Sequence, residues 1–270
     1  MSDYKFGFIG VGNMGSALAT AVSKSVSGNE IMLADKFVNK AQVLANNLNC
    51  EVYDNTAIAA RAKFIFLGVK PQMLKETLEG ISDTLARRTD RFVLVSMAAG
   101  VQISAIKEML GANYPVIRIM PNTPVLVGEG MILYTLNDEV FMDEISEFCD
   151  GLKFAGKLDK IPENLIDAAS AVSGCGPAFV YMFAEGLADA AVECGLPRTK
   201  AYEYAAQTLL GSAKMILNTS KHPAELKDEV CSPAGSTIEG VHALESSGFR
   251  AGVMNAVKSS FDRTKELGKN

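Results

Sequence analysis

The sequence is poor in the residues that usually build metal sites and basic interfaces. Only two histidines, His222 and His242, occur in 270 residues, which argues against a histidine-rich metal centre. The five cysteines are Cys50, Cys149, Cys175, Cys194 and Cys231; their number is odd, and no two have the close spacing of a metal-binding pair. Scattered thiols of this kind fit a reducing, cytoplasmic setting. No basic run exceeds two residues and the formal net charge is −5, a poor match to a nucleic-acid partner. The opening Met1-Ser2-Asp3-Tyr4-Lys5 lacks the basic segment and apolar core of a signal peptide, and the first strand follows too soon for a transit peptide. Membrane-length apolar spans are lacking too. The most apolar long stretch, Pro177 to Val192, carries Glu185 and Asp189; it is too short and too charged to cross a bilayer and reads as a buried helix.

What is present is concentrated at the start. The apolar run Phe6 to Ile9 leads directly into Gly10-Val11-Gly12-Asn13-Met14-Gly15, and a helical pattern follows from Met14 to Val22. Strand, glycine turn and helix in that order form a dinucleotide-binding signature. Gly10 permits the turn, Gly12 lets backbone approach a pyrophosphate, and Gly15 lets the helix lie close to the strand. The free N–H groups of the helix start then face the phosphates. Asp35 stands twenty residues after Gly15, at the end of a second strand read over Glu30 to Ala34. A carboxylate there accepts from the adenosine ribose and repels a 2′-phosphate. Lys36 follows at once and suits that phosphate, so NADPH and NADH both remain open.

Strand and helix alternate through the first 160 residues. Lys40 to Leu48 is an amphipathic helix, Glu51 to Tyr53 a short strand, and Asn55 with Thr56 an N-cap and its neighbour. Phe64 to Val69 is a continuous apolar run suited to a central parallel strand, and Pro71 fits the first turn of the next helix. Further strands are expected at Phe92–Ser96, Pro115–Met120 and Gly130–Thr135, then a helix over Asp138–Phe154 and a short extended piece at Gly156–Leu158. Ligands of doubly wound sheets bind at the carboxyl ends of the strands, so Lys70, Ala98, Gly100 and Asn122 are expected to converge on the cofactor.

After Ile161-Pro162 the period becomes helical almost throughout, with helices expected near 164–172, 177–193, 199–217, 224–230, 238–246 and 252–267. The fold class is therefore α/β: an N-terminal Rossmann-type doubly wound sheet (residues 1–160) and a second, all-α C-terminal domain (161–270). The Pro177 helix is apolar nearly all round and must be covered on every side. A small helical domain would struggle to do this alone, so a homodimer is predicted; the alternative is a core within the one chain. Two glycine-rich corners open helices here, Ser173-Gly174-Cys175-Gly176-Pro177 and Cys231-Ser232-Pro233-Ala234-Gly235-Ser236-Thr237. The N–H groups of Gly235, Ser236 and Thr237 suit a small carboxylate; the alternative is that Ser236 or Thr237 simply caps the helix.

At this point the chain resembles the pyrroline-5-carboxylate reductase family. The resemblance is carried by Phe8 to Gly15, Val69-Lys70-Pro71, Pro121-Asn122-Thr123-Pro124, Ser173 to Ala178 and Gly195-Leu196-Pro197-Arg198. Most specific is Asp228-Glu229-Val230-Cys231-Ser232-Pro233-Ala234-Gly235-Ser236-Thr237-Ile238, running on to Leu244-Glu245 and Gly248-Phe249-Arg250. It implies a helical domain that intertwines in the dimer and reduction of 1-pyrroline-5-carboxylate to proline, the last step of proline biosynthesis. NADPH is the usual donor in that family and NADH serves in some members. By matched motif it implies cofactor contacts at Gly10, Val11, Gly12, Asn13, Met14, Asn55, Val69, Lys70, Pro71, Ala98, Ala99 and Gly100, beside Asp35, Lys36 and Asn122. The substrate carboxylate goes to Gly235, Ser236 and Thr237, with Glu163 as a further substrate contact. Cys175 departs from a common serine and Glu229 from a frequent asparagine.

Thr237 is the expected catalytic residue, hydrogen-bonded to the ring nitrogen; a protonated imine is electrophilic enough to need no strong protein acid. The two helix tips, at Gly10–Gly15 and at Thr237, are then expected to meet across a cleft. The expected partners are the imine and a second copy of the chain, as a homodimer or a larger ring of dimers, with no nucleic acid and no membrane. Two rivals are weaker. A β-hydroxyacid dehydrogenase would carry a lysine in the helix after the second glycine turn, and Pro177–Val192 has none. A nucleotide-sensing module would need no carboxylate pocket.

Overall fold

The structure is a computed structural model describing residues 4–267. Strands and helices alternate as β1 (Tyr4–Ile9), α1 (Asn13–Val22), β2 (Ile31–Ala34), α2 (Val38–Leu48), β3 (Glu51–Val52), α3 (Asn55–Arg61), β4 (Ala62–Leu67), α4 (Pro71–Ala86), β5 (Val93–Ser96) and α5 (Ile103–Leu110). There follow β6 (Val116–Met120), β7 (Gly130–Leu136), α6 (Met142–Leu152), β8 (Gly156–Lys160) and α7 (Glu163–Ser173). The strands form one sheet in the order β3-β2-β1-β4-β5-β6-β7-β8. All pairings from β3 to β6 are parallel; β7 runs antiparallel to β6, and β8 parallel to β7. The chain leaves β1 toward β2 on one side and returns to β4 on the other, so the switch point lies between β1 and β4. Ligands of such sheets bind beyond that point.

Period-two alternation divides the core between the two faces. Phe6, Phe8, Phe64, Phe66, Val93, Val95, Ile117 and Ile119 point to one face with Phe148 of α6. Ile9, Ile65, Leu67 and Leu94 point to the other, under Ile58, Leu74, Leu78, Ile81 and Ile106. The aromatic side chains interlock: the Phe8 and Phe66 rings stack at 4.5 Å and those of Phe6 and Phe64 at 5.4 Å. Burial on both faces explains why β4 is continuously apolar from Phe64 to Leu67 and β5 from Val93 to Val95.

Contacts divide the chain into two compact units. One holds residues up to Cys175 together with those from Ser260; the other is Gly176–Ser259. The helix α7 therefore counts with the sheet, where it lies against β7. The remaining helices are α8 (Gly176–Glu193), α9 (Arg198–Thr219), α10 (Pro223–Glu229), α11 (Ser236–Ser246) and α12 (Phe249–Leu267). Ala188, Ala201 and Ala205 form the small buried centre of the second unit.

Several local expectations need correction. The N-cap of α3 is Asp54, whose carboxylate accepts from the Ala57 N–H at 2.7 Å; Asn55 is the first helical residue. The helix expected from Asp138 begins at Met142, because Glu144, held by Arg91, accepts the Phe141 N–H and starts the helix there. Glu30 belongs to a 3-10 turn, its carboxylate accepting from Ser27 N–H. The helix α5 carries no strong start signal in its sequence. The most consequential difference is α8, expected to be buried: within one chain only Ala188 of it is buried, while Val180, Tyr181 and Met182 are 48%, 61% and 71% exposed. With α7 it forms a run, residues 163–193, long and apolar enough by composition to cross a membrane.

Candidate active site

The switch point is built by glycines pressed together. Gly10 has φ +94°, and a Cβ there would lie 2.7 Å from the Gly68 carbonyl oxygen. Gly68 donates its N–H to Ile9 O at 2.7 Å, and a Cβ on it would collide with Gly10 in turn. A Cβ on Gly15 would fall inside 3.0 Å of the Gly10 carbonyl oxygen. These three positions are closed to any side chain by the protein itself. Gly12 is different: a Cβ there meets nothing within 4 Å. Its bareness answers to no neighbour in the chain, and the open space lies at the N-cap of α1, which no side chain caps. The first-turn N–H groups of α1 are left for an anion. This cradle fits a pyrophosphate.

Asp35 sits beside it. Its carboxylate accepts from the Val11 N–H and the Phe37 N–H, each at 2.9 Å, so it ties the glycine turn to the exit of β2. Gly10 N–H donates to Ala34 O at 2.8 Å in the same join. Because β2, β1, β4, β5 and β6 are neighbours, Gly10–Met14, Asp35–Lys36, Val69–Pro71, Ala98–Gly100 and Asn122 form one row along the carboxyl edge of the sheet. Asn55 opens α3 beyond β3 on the same edge. Lys70 is the N-cap of α4 with Pro71 next, as expected. Gly100 takes φ +75° in the turn after β5.

Like Asp35, Asn122 and Glu163 turn out to be engaged by the protein itself. The Asn122 amide donates to Ser173 O at 2.9 Å and accepts from Met131 N–H at 2.8 Å, bracing α7 and β7. The Glu163 carboxylate accepts from Ile103 N–H at 2.8 Å and pairs with Arg118 at 3.4 Å. Arg118 has no exposed surface; it also binds Asp167 at 2.6 Å, while its Nε has no partner among the described residues. Sequence reasoning missed Gly68 and Arg118. The signal for Gly68 was a glycine ending an otherwise apolar run, and for Arg118 a lone cation inside a buried strand.

In the second unit the tip of α11 has Gly235 at the N-cap and no side-chain cap, so Ser236 and Thr237 do not merely close the helix. Both are exposed. The Gly235 N–H, expected to be free, donates to Ser232 O at 3.0 Å, leaving those of Ser236 and Thr237. Ala234 just before it holds φ +54°. Of the two departures from the family pattern, Glu229 is ion-paired with Lys221, and the Cys175 N–H donates to Ser170 O at 3.2 Å.

Residues 163–267 match the family model described as pyrroline-5-carboxylate reductase dimerisation, and residues 5–100 match one described as NADP oxidoreductase coenzyme F420-dependent. The chain is 39% identical over 269 residues to the pyrroline-5-carboxylate reductase of Escherichia coli K12, spanning 98% of this chain and 99% of that protein. The chain belongs to the pyrroline-5-carboxylate reductase family. Pyrroline-5-carboxylate reductase 3 of Danio rerio is 40% identical over 266 residues, 98% of this chain and 91% of its own length. The crystal structure of Plasmodium falciparum pyrroline carboxylate reductase with NADP bound superposes with a TM-score of 0.88 at 33% identity, covering 99% of both chains. Members of this family are NAD(P)H-dependent oxidoreductases, and both the Rossmann-type sheet and the helical C-terminal region are those of the family.

Proposed function

We propose that the chain reduces the C=N bond of 1-pyrroline-5-carboxylate to L-proline, the last step of proline biosynthesis, with NAD(P)H as donor. The observation that carries this reading is kinship with reductases of that name over 98% of the chain. The dinucleotide-binding domain is assigned to residues 1–160 and the substrate and dimerisation domain to 161–270, although the opening helix α7 of the latter packs on β7 of the sheet. The coenzyme contacts are Gly10 to Met14, Asp35, Lys36, Asn55, Val69 to Pro71 and Ala98 to Gly100, with Asn122 bracing their edge. Glu163, its carboxylate already held by Ile103 and Arg118, is given a bracing role in place of direct contact.

When bound, the nicotinamide supplies the hydride. The protein's share is placement. The Ser236 and Thr237 N–H groups at the α11 tip hold the substrate carboxylate. The Thr237 hydroxyl accepts from the protonated ring nitrogen, steadying its proton and presenting one face of the ring. Removing such a charge-assisted hydrogen bond costs about 1.5–3 kcal/mol. Thr237→Val should therefore lower kcat about 10- to 150-fold and leave the coenzyme Kd alone. Parental turnover in that variant ends the assignment.

The exposed faces of α8 and α9, including Tyr181, Met182 and Tyr202, are covered by a second copy of the chain, not by lipid. The assembly is a homodimer or a ring of dimers, and the setting is cytoplasmic. A dimer or its multiple in detergent-free light scattering supports this; a monomer, or a need for detergent, refutes it.

A further inference from the structure

Resting on the coenzyme site assigned above, we infer that Asp35 makes this chain select NADH over NADPH. Its carboxylate is not an ordinary surface group. One oxygen accepts the Val11 N–H of the glycine turn and the other the Phe37 N–H, each at 2.9 Å. Swinging the side chain aside would break both hydrogen bonds, of which the one from Val11 is partly buried, so the charge is favoured where it stands. Each carboxylate oxygen has two acceptor positions. With one filled on each, one remains on each for a hydroxyl donor. The adenosine ribose of NADH offers a diol at the end of the second strand of this fold. A 2′-phosphate offers no donor and carries about −1.5 to −2 charges at pH 7. Placed against a carboxylate tied to the glycine turn, it is repelled.

Lys36 supplies a cation next door, yet it is exposed. A solvent-exposed ammonium pairs weakly and must order a long side chain to do so. The fixed anion therefore outweighs the mobile cation.

The test is direct titration of the full chain with NADH and with NADPH, followed by initial rates of imine reduction with each. The expected Kd ratio favours NADH by about tenfold or more. Raising the salt concentration should narrow it, because screening weakens the repulsion. Asp35→Asn should narrow it too, through tighter NADPH binding. Should that variant loosen the glycine turn and weaken both coenzymes alike, the parent's own ratio still decides. A parent that binds NADPH as tightly as NADH, or more tightly, overturns the inference. Tighter NADH binding without any proline formed would overturn the reductase reading and leave the role of Asp35 standing.

Discussion

Gly12 and Gly15 stand three residues apart in one motif, yet the structure gives them opposite reasons for being glycine, and two alanine substitutions separate these. At Gly12 a methyl group meets no protein atom within 4 Å, and φ −61° suits any residue. Alanine at an N-cap costs a few tenths of a kcal/mol or more relative to glycine, while the stiffer unfolded chain returns about 0.4–1 kcal/mol. The two nearly cancel. For a unit of this size, about 2–4 °C per kcal/mol, the melting temperature should stay within about 2 °C. The methyl does occupy the approach to the first turn of α1, and it pushes a phosphate off the N–H donors. Losing the worth of one charged hydrogen bond, about 1.5–3 kcal/mol, weakens coenzyme binding about 10- to 150-fold.

Gly15→Ala reverses the pattern. Its methyl would fall inside 3.0 Å of the Gly10 carbonyl oxygen, a backbone atom. The helix must back away from the strand, at about 1–3 kcal/mol and a drop of some 2–12 °C. Thermal unfolding without coenzyme, paired with coenzyme titration by fluorescence, reads both quantities. Parental coenzyme affinity in Gly12→Ala, or unfolding of that variant as early as Gly15→Ala, would refute the reasoning.

Three further outcomes follow from the same structure. Asp167→Asn removes one of the two carboxylates on fully buried Arg118 and leaves Glu163, so it should lower stability by about 1–3 kcal/mol in urea; a variant as stable as the parent would mean that the cation is compensated elsewhere. The Arg88 guanidinium, hydrogen-bonded to Asp90, holds the Asp90 carboxyl below its ordinary value. That pair stabilises the fold fully above the usual carboxylate range and is lost as pH falls through the lowered value. Asp90→Asn should thus flatten the acid side of the stability profile and leave its neutral-to-alkaline shape unchanged. Burial pushes the Cys50 thiol up to about 11 and raises that of Cys149, so alkylation at pH 8 should mark exposed Cys194 long before either; early labelling of Cys50 would contradict its burial.

What could be read in the chain without coordinates was local. The Phe6–Ile9 strand, the glycine turn and the helix behind it are contiguous, and Gly15 answers a steric demand made by Gly10 in the same motif. Helices of the second half were readable for the same reason, since their period repeats every turn. Starts and stops were less secure, because a cap such as Asp54 or Glu144 is decided by which side chain reaches the backbone.

The sequence by itself determined the alternation of strand and helix, the dinucleotide signature and the family, because these live in residue type and short spacing. Only the tertiary structure decided that Gly68 faces Gly10, that Arg118 draws Glu163 and Asp167 to β6, and that Asp35 is fixed by two N–H groups. Parallel strands pair across crossovers, so the neighbours that limit a residue's freedom lie far off in the chain. Whether an apolar helix is covered is likewise a property of the folded surface: α8 stays open in one chain because its own unit has too little apolar surface to enclose it.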